Sequence, residues 1–439
     1  MIRSTLAGAL AAVAAIGPLH AQAAPDARVM RDVTVWTETH VDAVHDLLEQ
    51  VVNINSGTQN HAGVRAVGEI FRERLAAIGF DARWLDVKPE VDRAGHVLAT
   101  RPGVGDGRRV LLIGHLDTVF GPEHSFDRLI RDGSLATGPG VVDDKGGIVV
   151  LVSSLEALAA ADALDGAAIT VLLTGDEEDV GDPRSAARRA MVEAARASDV
   201  VLSFERGFTQ GGEDFGTVAR RSSSGWTLRV TGREAHSSRI FSEADGAGAA
   251  NELARILHTF YTELAGEEYL TFNAGTVLAG TEIAFDPESQ DGEALGRSNV
   301  IPAEALARGD IRTISNEQLE RTRARMRDIV AEHLPGTDAE IVFSDGYPAM
   351  APDPANYALL EEYSAISEAL GLGPVAPLDP SLRGAGDIAF AADHVPAALD
   401  GLGAMGGDTH GPEEWVDLDS FAPQIRRAAM LVHHLTHTR

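Results

Sequence analysis

The sequence predicts an α/β body, a mainly parallel sheet with helices on both faces, interrupted by a smaller inserted α+β domain. Three observations carry this prediction. From residue 110 to residue 204 apolar strand-like runs alternate with helix-like ones. The pattern breaks at Arg220-Arg221-Ser222-Ser223-Ser224-Gly225 and gives way to alternating, half-exposed strands. After Pro348–Pro354 the helix-then-strand style of the first part returns. A chain of 439 residues is long enough for two separate cores.

Taken in order, the N-terminus reads as a processing signal over residues 1–23. Arg3 supplies a short positive region, Leu6 to Leu19 an apolar stretch rich in Ala, and Ala21-Gln22-Ala23 a small-x-small cleavage pattern. Export to a periplasm or the exterior is the expectation, with no membrane anchor after cleavage. The body then begins at residue 24. Val41, Val44, Leu47, Leu48, Val51 and Val52 recur at helical spacing, as do Val64, Val67, Phe71, Leu75 and Ile78. Strands are expected over Val110–Ile113, Ile169–Thr174 and Val200–Phe204, and helices over Gly147–Ala161 and Arg184–Arg196.

The inserted domain spans residues 221–345. Trp226–Thr231, Thr271–Leu278, Ala305–Thr313 and Ala339–Phe343 read as strands, Ala244–Leu264 and Asn316–Leu334 as helices, with Ser315 as N-cap. The order β-α-β-β-α-β is that of a split, ferredoxin-like sandwich. Residues 346–439 complete the body.

Charge and cysteine content narrow the chemistry. With 37 basic and 66 acidic residues the net charge is −29, which argues against nucleic acid or an anionic membrane surface as partner. There is no cysteine, so any metal site must be built from His, Asp and Glu.

Such residues gather where the predicted strands end. The first run leads to His115 and Asp117, the second to Asp176, Glu177 and Glu178, and the third to Glu205. Ala397–Leu399 leads through a Gly-rich stretch to His410, and Asp143-Asp144-Lys145 stands before a predicted helix. Open α/β sheets bind ligands beyond the carboxyl ends of their strands, so five segments aim acids and imidazoles at one crevice. Such a crowd repels itself unless a cation neutralises it. Two His with several carboxylates suit zinc, with cobalt or manganese as options. Asp117, two residues beyond His115, can orient the imidazole. Of the adjacent Glu177 and Glu178, one can bind metal while the other acts as a base.

These segments resemble the dinuclear zinc peptidases and deacylases, a family that includes glutamate carboxypeptidase, succinyl-diaminopimelate desuccinylase and aminoacylase. The resemblance rests on "GHLDTVF", "GPGVVDDKGG", "TGDEEDVG", "LSFE" and "THGPEEWV", covers essentially the whole mature chain, and is nearest the bacterial glutamate carboxypeptidase branch. It implies a zinc exopeptidase-like body with two Zn²⁺ per subunit. One would be held by His115, Asp143 and Glu205, the other by Asp143, Glu178 and His410. Asp143 would be the bridge, with a cis peptide following it, and Glu177 the general base. In the inserted lid and dimerisation domain, the resemblance assigns His236 to the developing oxyanion across a homodimer interface. It assigns Asn299 and Arg312 to the substrate's terminal carboxylate, and Arg383 to a further substrate contact. One departure stands out: Glu213 and Asp214 occupy the neighbourhood where glutamate carboxypeptidases carry a Lys, and would repel a glutamate side chain.

The function implied is hydrolysis of an amide bond next to a free C-terminal carboxylate, in a small peptide. Removal of an acyl group from an N-acyl amino acid is the alternative. A periplasmic metal- or peptide-binding protein without catalysis is the third reading.

Overall fold

A computed structural model of the chain describes residues 25–287 and 289–438, so the processing signal read over residues 1–23 lies outside the described residues. The body is built on a six-stranded sheet. Its order is Asp81–Leu85, His96–Arg101, Ile169–Thr174, Val110–His115, Val200–Ser203 and Ala397–Leu399. The last four run parallel, while the first two form an antiparallel edge that the sequence reading did not contain.

Helices cover both faces, and the strands show why. Val110, Leu112, Val171, Leu173, Val200 and Leu202 enter one buried cluster, with helices Ala27–Val52, His61–Ala77, Lys145–Ala160 and Phe421–His437. The alternate residues Leu111, Ile113, Leu172 and Val201 enter a second cluster with Arg189–Arg196 and Ile388–Ala392. Successive side chains of a strand point to opposite faces, so strands apolar throughout need cover on both sides.

Residues 223–347 form their own layer. Strands Thr271–Gly280, Glu304–Arg312, Ser223–Thr231 and Asp338–Tyr347 make an antiparallel sheet in that order, with helices Ala249–Leu264 and Asn316–Ala331. Its apolar cluster, including Trp226, Leu228, Ile256, Phe260 and Met326, shares no residue with the clusters of the body. A hairpin, Glu282–Phe285 with Gly292–Leu295, is added between the second and third strands in chain order.

Several boundaries moved for local reasons. The helix expected from Ala244 starts at Ala249, because Gly246 and Gly248 adopt φ of 72° and 77°, incompatible with a right-handed helix. The helix expected over Arg184–Arg196 is two helices broken at Arg188, which turns inward. The helix from Asn316 ends at Ala331, and Ser315 caps its start by accepting the Gln318 N–H at 3.1 Å.

Candidate metal and catalytic site

Glu177, Glu178, Glu205 and His410 lie just beyond strands of the body, Asp143 stands two residues before the helix Lys145–Ala160, and His115 is the last residue of its strand. His115 Nε2 is 3.0 Å from Asp143 Oδ1 and 3.8 Å from Glu205 Oε1. His410 Nε2 is 3.2 Å from Asp143 Oδ2 and 3.2 Å from Glu178 Oε2. Two groups able to hold a metal result, His115–Asp143–Glu205 and Asp143–Glu178–His410, each with its ligand atoms within 4.8 Å of one another. They share Asp143, which offers one oxygen to each. The peptide Asp143–Asp144 is cis.

The electrostatics fit a cation. Burial works to lower His115, but hydrogen bonds to Asp117 and Asp143 overcome it and hold it well above an ordinary imidazole. Hydrogen bonds to Asp143 and Glu178 raise His410 to about 11. Burial drives Glu177 well up and Glu178 up to about 7. Asp143 is held low, as the hydrogen bonds from His115 and His410 outweigh its burial. Without a cation, this cluster keeps protons on its imidazoles to offset its carboxylates; a metal ion takes over that role when those protons leave.

Asp117 orients His115 differently from the expectation. The strand ends at His115, so the two-residue period does not carry on, and the nearer contact to His115 Nδ1 is the Asp117 carbonyl at 3.1 Å. The Asp117 carboxylate is 3.5 Å from that nitrogen. Its closer partners are the amides of Glu177 and Glu178, at 3.0 and 3.1 Å, and the Thr58 hydroxyl at 2.7 Å. Fully buried, it fixes the turn that presents both glutamates.

Three further groups escaped the sequence reading. Glu414 accepts the N–H groups of Gly140, Val142 and Asp143 at 3.0, 2.9 and 3.1 Å. Leaving a buried donor without a partner costs about 1–3 kcal/mol. Three such losses are comparable with the ~5–15 kcal/mol stability of a domain. The shape of the Asp143 loop therefore depends on Glu414. Lys145 is buried, donates to Ile54 O at 2.9 Å, and is lowered by burial to about 7. Arg220 lies 3.0 Å from Glu205 Oε2, pairs with Asp400, and donates to Ala385 O at 2.7 Å. Close approach also demands glycine at 147, where a Cβ would lie 1.8 Å from Phe204 O and 2.0 Å from Asp144 Oδ1.

A cavity of about 140 Å³ opens onto the cluster. Asp143, Glu177, Glu205 and His410 line it, together with Arg206, Arg220 and Arg383. Arg383 is largely committed, donating to Arg206 O and, at 3.1 Å, to Thr217 Oγ1. Burial lowers it to about 10. Arg206 makes a long hydrogen bond of 3.4 Å to Gly406 O, and its guanidinium lies 5.9 Å from the centre of the Phe208 ring.

The remaining sequence-predicted residues do not line this cavity within one chain. His236 is exposed at the start of the short helix Ser237–Arg239, its Nδ1 2.8 Å from Ser238 Oγ. Asn299 lies beside it through the backbone, its carbonyl accepting the Ser237 N–H at 2.9 Å. Arg312 pairs with Asp310 at 3.1 Å. The repulsion argued from Glu213 and Asp214 is corrected, since neither lines the cavity. Asp214 is 2.7 Å from the buried Arg427 guanidinium, and Glu213 is exposed on a separate small sheet. Their chain proximity to Glu205 is undone by the hairpin Phe208–Gln210 with Glu213–Gly216.

Comparison with known proteins agrees with this architecture. The chain is 27% identical over 405 residues to carboxypeptidase G2 of Pseudomonas sp. (strain RS-16), covering 90% of this chain and 89% of that one. It is 31% identical over 392 residues to succinyl-diaminopimelate desuccinylase of Acidiphilium cryptum, covering 86% and 94%. In fold it resembles a dinuclear metal-binding peptidase of Bacillus subtilis, with a TM-score of 0.64, 15% identity, and coverage of 91% and 99%. Residues 111–434 match peptidase family M20/M25/M40, and the chain is a hydrolytic enzyme belonging to that family.

Proposed function

We propose that the chain hydrolyses the amide bond next to a free C-terminal carboxylate, as a carboxypeptidase acting on small peptides with two zinc ions per subunit. The observation that carries this reading is the pair of ligand groups sharing Asp143, with Glu177 lining the same cavity but belonging to neither group. His115, Asp143 and Glu205 would hold one ion, and Asp143, Glu178 and His410 the other. Bound metal supplies Lewis-acid polarisation of the scissile carbonyl and acidifies water. Glu177, raised by burial, takes the proton of the attacking water and passes it to the leaving nitrogen. Arg206 and Arg383 bring positive charge to the cavity and suit an anionic substrate group. The 223–347 layer would serve as lid and dimerisation surface, presenting His236, Asn299 and Arg312 to a partner's cavity.

The test is a panel of dipeptides and N-acyl amino acids assayed with the parental protein, with EDTA and after zinc is restored. Cleavage of C-terminal residues, lost with EDTA and regained with zinc, is expected. Preference for N-acyl amino acids would favour the deacylase reading, which the likeness to a desuccinylase supports. No turnover on any compound, with metal bound, would overturn both readings of the substrate.

Metal loading should also be pH-dependent in a definite direction. His410, raised to about 11, keeps its proton at neutral pH in the metal-free chain, whereas a metal-bound imidazole is neutral. Its folded pKa lies above the unfolded value. Its ion pairs therefore stabilise the metal-free chain fully below ~6.5 and cease to do so as pH rises through about 11. With His115 raised as well, zinc loading near pH 7 should release about two protons, and affinity should fall as pH falls. Calorimetric titration in buffers of different ionisation enthalpy measures this. Zinc binding without proton release would show that the two imidazoles are already neutral in the metal-free chain.

A further inference from the structure

The peptide that carries Glu177 is held from three sides. Asp117 accepts its amide. The buried Arg188 ties down the residue before it, with Nη1 2.6 Å from Asp176 Oδ1 and Nη2 donating to Asp176 O at 3.0 Å. The carbonyl oxygen of Glu177 accepts a hydrogen bond from the Tyr347 hydroxyl. The first two partners belong to the body, as Glu177 itself does. Tyr347 does not: it is the last residue of Asp338–Tyr347, the final strand of the antiparallel layer, and it pairs with Ser223 at the start of that layer's first strand.

Tyr347 therefore stands where the chain crosses between the two parts. Three residues on, Arg220 and Met350 pair at the crossing itself, exchanging backbone hydrogen bonds of 2.9 Å in both directions. The tyrosine ring packs 5.1 Å from Phe390 at a tilt of 58°, and the Phe390 face lies 5.6 Å from Arg188 Cζ, so ring contacts run from the crossing to the clamp on Asp176. Burial pushes the phenol well up, which keeps it a donor throughout the working pH range.

We propose that Tyr347 is a positioning residue through which the orientation of the 223–347 layer sets the place of the Glu177 carboxylate. The inference rests on the reading of Glu177 as general base. A general base works only within hydrogen-bond reach of the proton it takes, and displacements near 1 Å cost large factors in rate. Rotation of the layer about its crossings would carry the hydroxyl with it and draw the Glu177 carbonyl along. Asp117 and Arg188, fixed in the body, resist that movement. Of the three groups that hold this peptide directly, Tyr347 is the one that belongs to the layer.

The substitution Tyr347→Phe removes the hydroxyl and keeps the ring on Phe390. In the metal-loaded full chain we expect kcat to fall by about 10-fold, with KM, metal content and thermal midpoint little changed. Introduced into Glu177→Ala, the same substitution should leave the residual rate unaltered, because the group it positions is gone. An equal further loss in that background would overturn the proposal, while Glu177→Ala alone still judges the base assignment. Hydrogen exchange supplies a readout independent of turnover. Amides of residues 175–181 should exchange faster in Tyr347→Phe, with those of 338–346 unchanged. Equal protection of 175–181 in both proteins would show that the hydroxyl does not hold this peptide, and would also overturn the proposal.

Discussion

Replacing Glu177 by alanine is expected to leave two metal ions bound and to lower kcat by ~10²–10⁴-fold. The structure separates this residue from its neighbour on physical grounds. Glu178 Oε2 faces His410 Nε2 at 3.2 Å and belongs to a ligand group, whereas Glu177 belongs to neither group and lines the cavity. Burial raises Glu177 above an ordinary carboxylate, which makes its ionised form a stronger proton acceptor. Its backbone is fixed by Asp117 and Tyr347, and neither contact involves its carboxylate, so truncating that carboxylate leaves the turn intact. Metal analysis alongside kinetics checks the assignment. Loss of a metal ion from Glu177→Ala would make it a ligand. Full activity would pass the proton transfer to another group. Glu178→Ala gives the contrast: it should lose metal together with activity.

The substitution His236→Ala is expected to lower kcat by ~10²–10³-fold without altering metal content, as the removal of an oxyanion donor does. His236 is exposed and does not line its own chain's cavity, so it must come from a second subunit or through closure of its layer. A symmetric dimer distinguishes the two, because each subunit's His236 would then complete the other's site. Mixing His236→Ala with Glu177→Ala subunits, both nearly inactive alone, and allowing exchange should make about half of all dimers mixed, each with one complete site. Activity should thus return to about a quarter of the parental value. With closure inside one chain, no site in the mixture holds both groups. A mixture no better than its parents despite proven subunit exchange, or a fully active monomer by light scattering, would refute action across the interface.

Much of this site was legible in the chain itself. Apolar runs such as Leu111-Leu112-Ile113 and Val171-Leu172-Leu173 are local, and their full burial on both faces follows from the absence of polar alternation. The residues just past each run inherit their place from the strand that delivers them. The segments carrying His115, Glu178, Glu205 and His410, with Asp143 before its helix, could be gathered into one crevice before any contact between them was known, while their sorting into ligand sets came from the family resemblance. The four long strands and two helices of the 223–347 layer were equally legible, because each has its own period, whereas the hairpin Glu282–Phe285 with Gly292–Leu295 was not.

The supporting contacts were not legible, for a different physical reason. Glu414 reaches Gly140 across 274 residues of chain, Arg220 reaches Asp400 across 180, and Tyr347 reaches Glu177 across 170. No periodicity marks which carboxylate will meet which amide. Glu414 reads as one acid of a pair, and Arg220 as half of a basic doublet in a polar break. Nearness in sequence misled in the same way at Glu213 and Asp214, where a tight hairpin carries both away from the cavity that Glu205 lines. Strand patterning is a local property and decides where a ligand emerges. The partners that hold it in place are chosen by packing, once distant segments share a buried space in which every donor needs an acceptor.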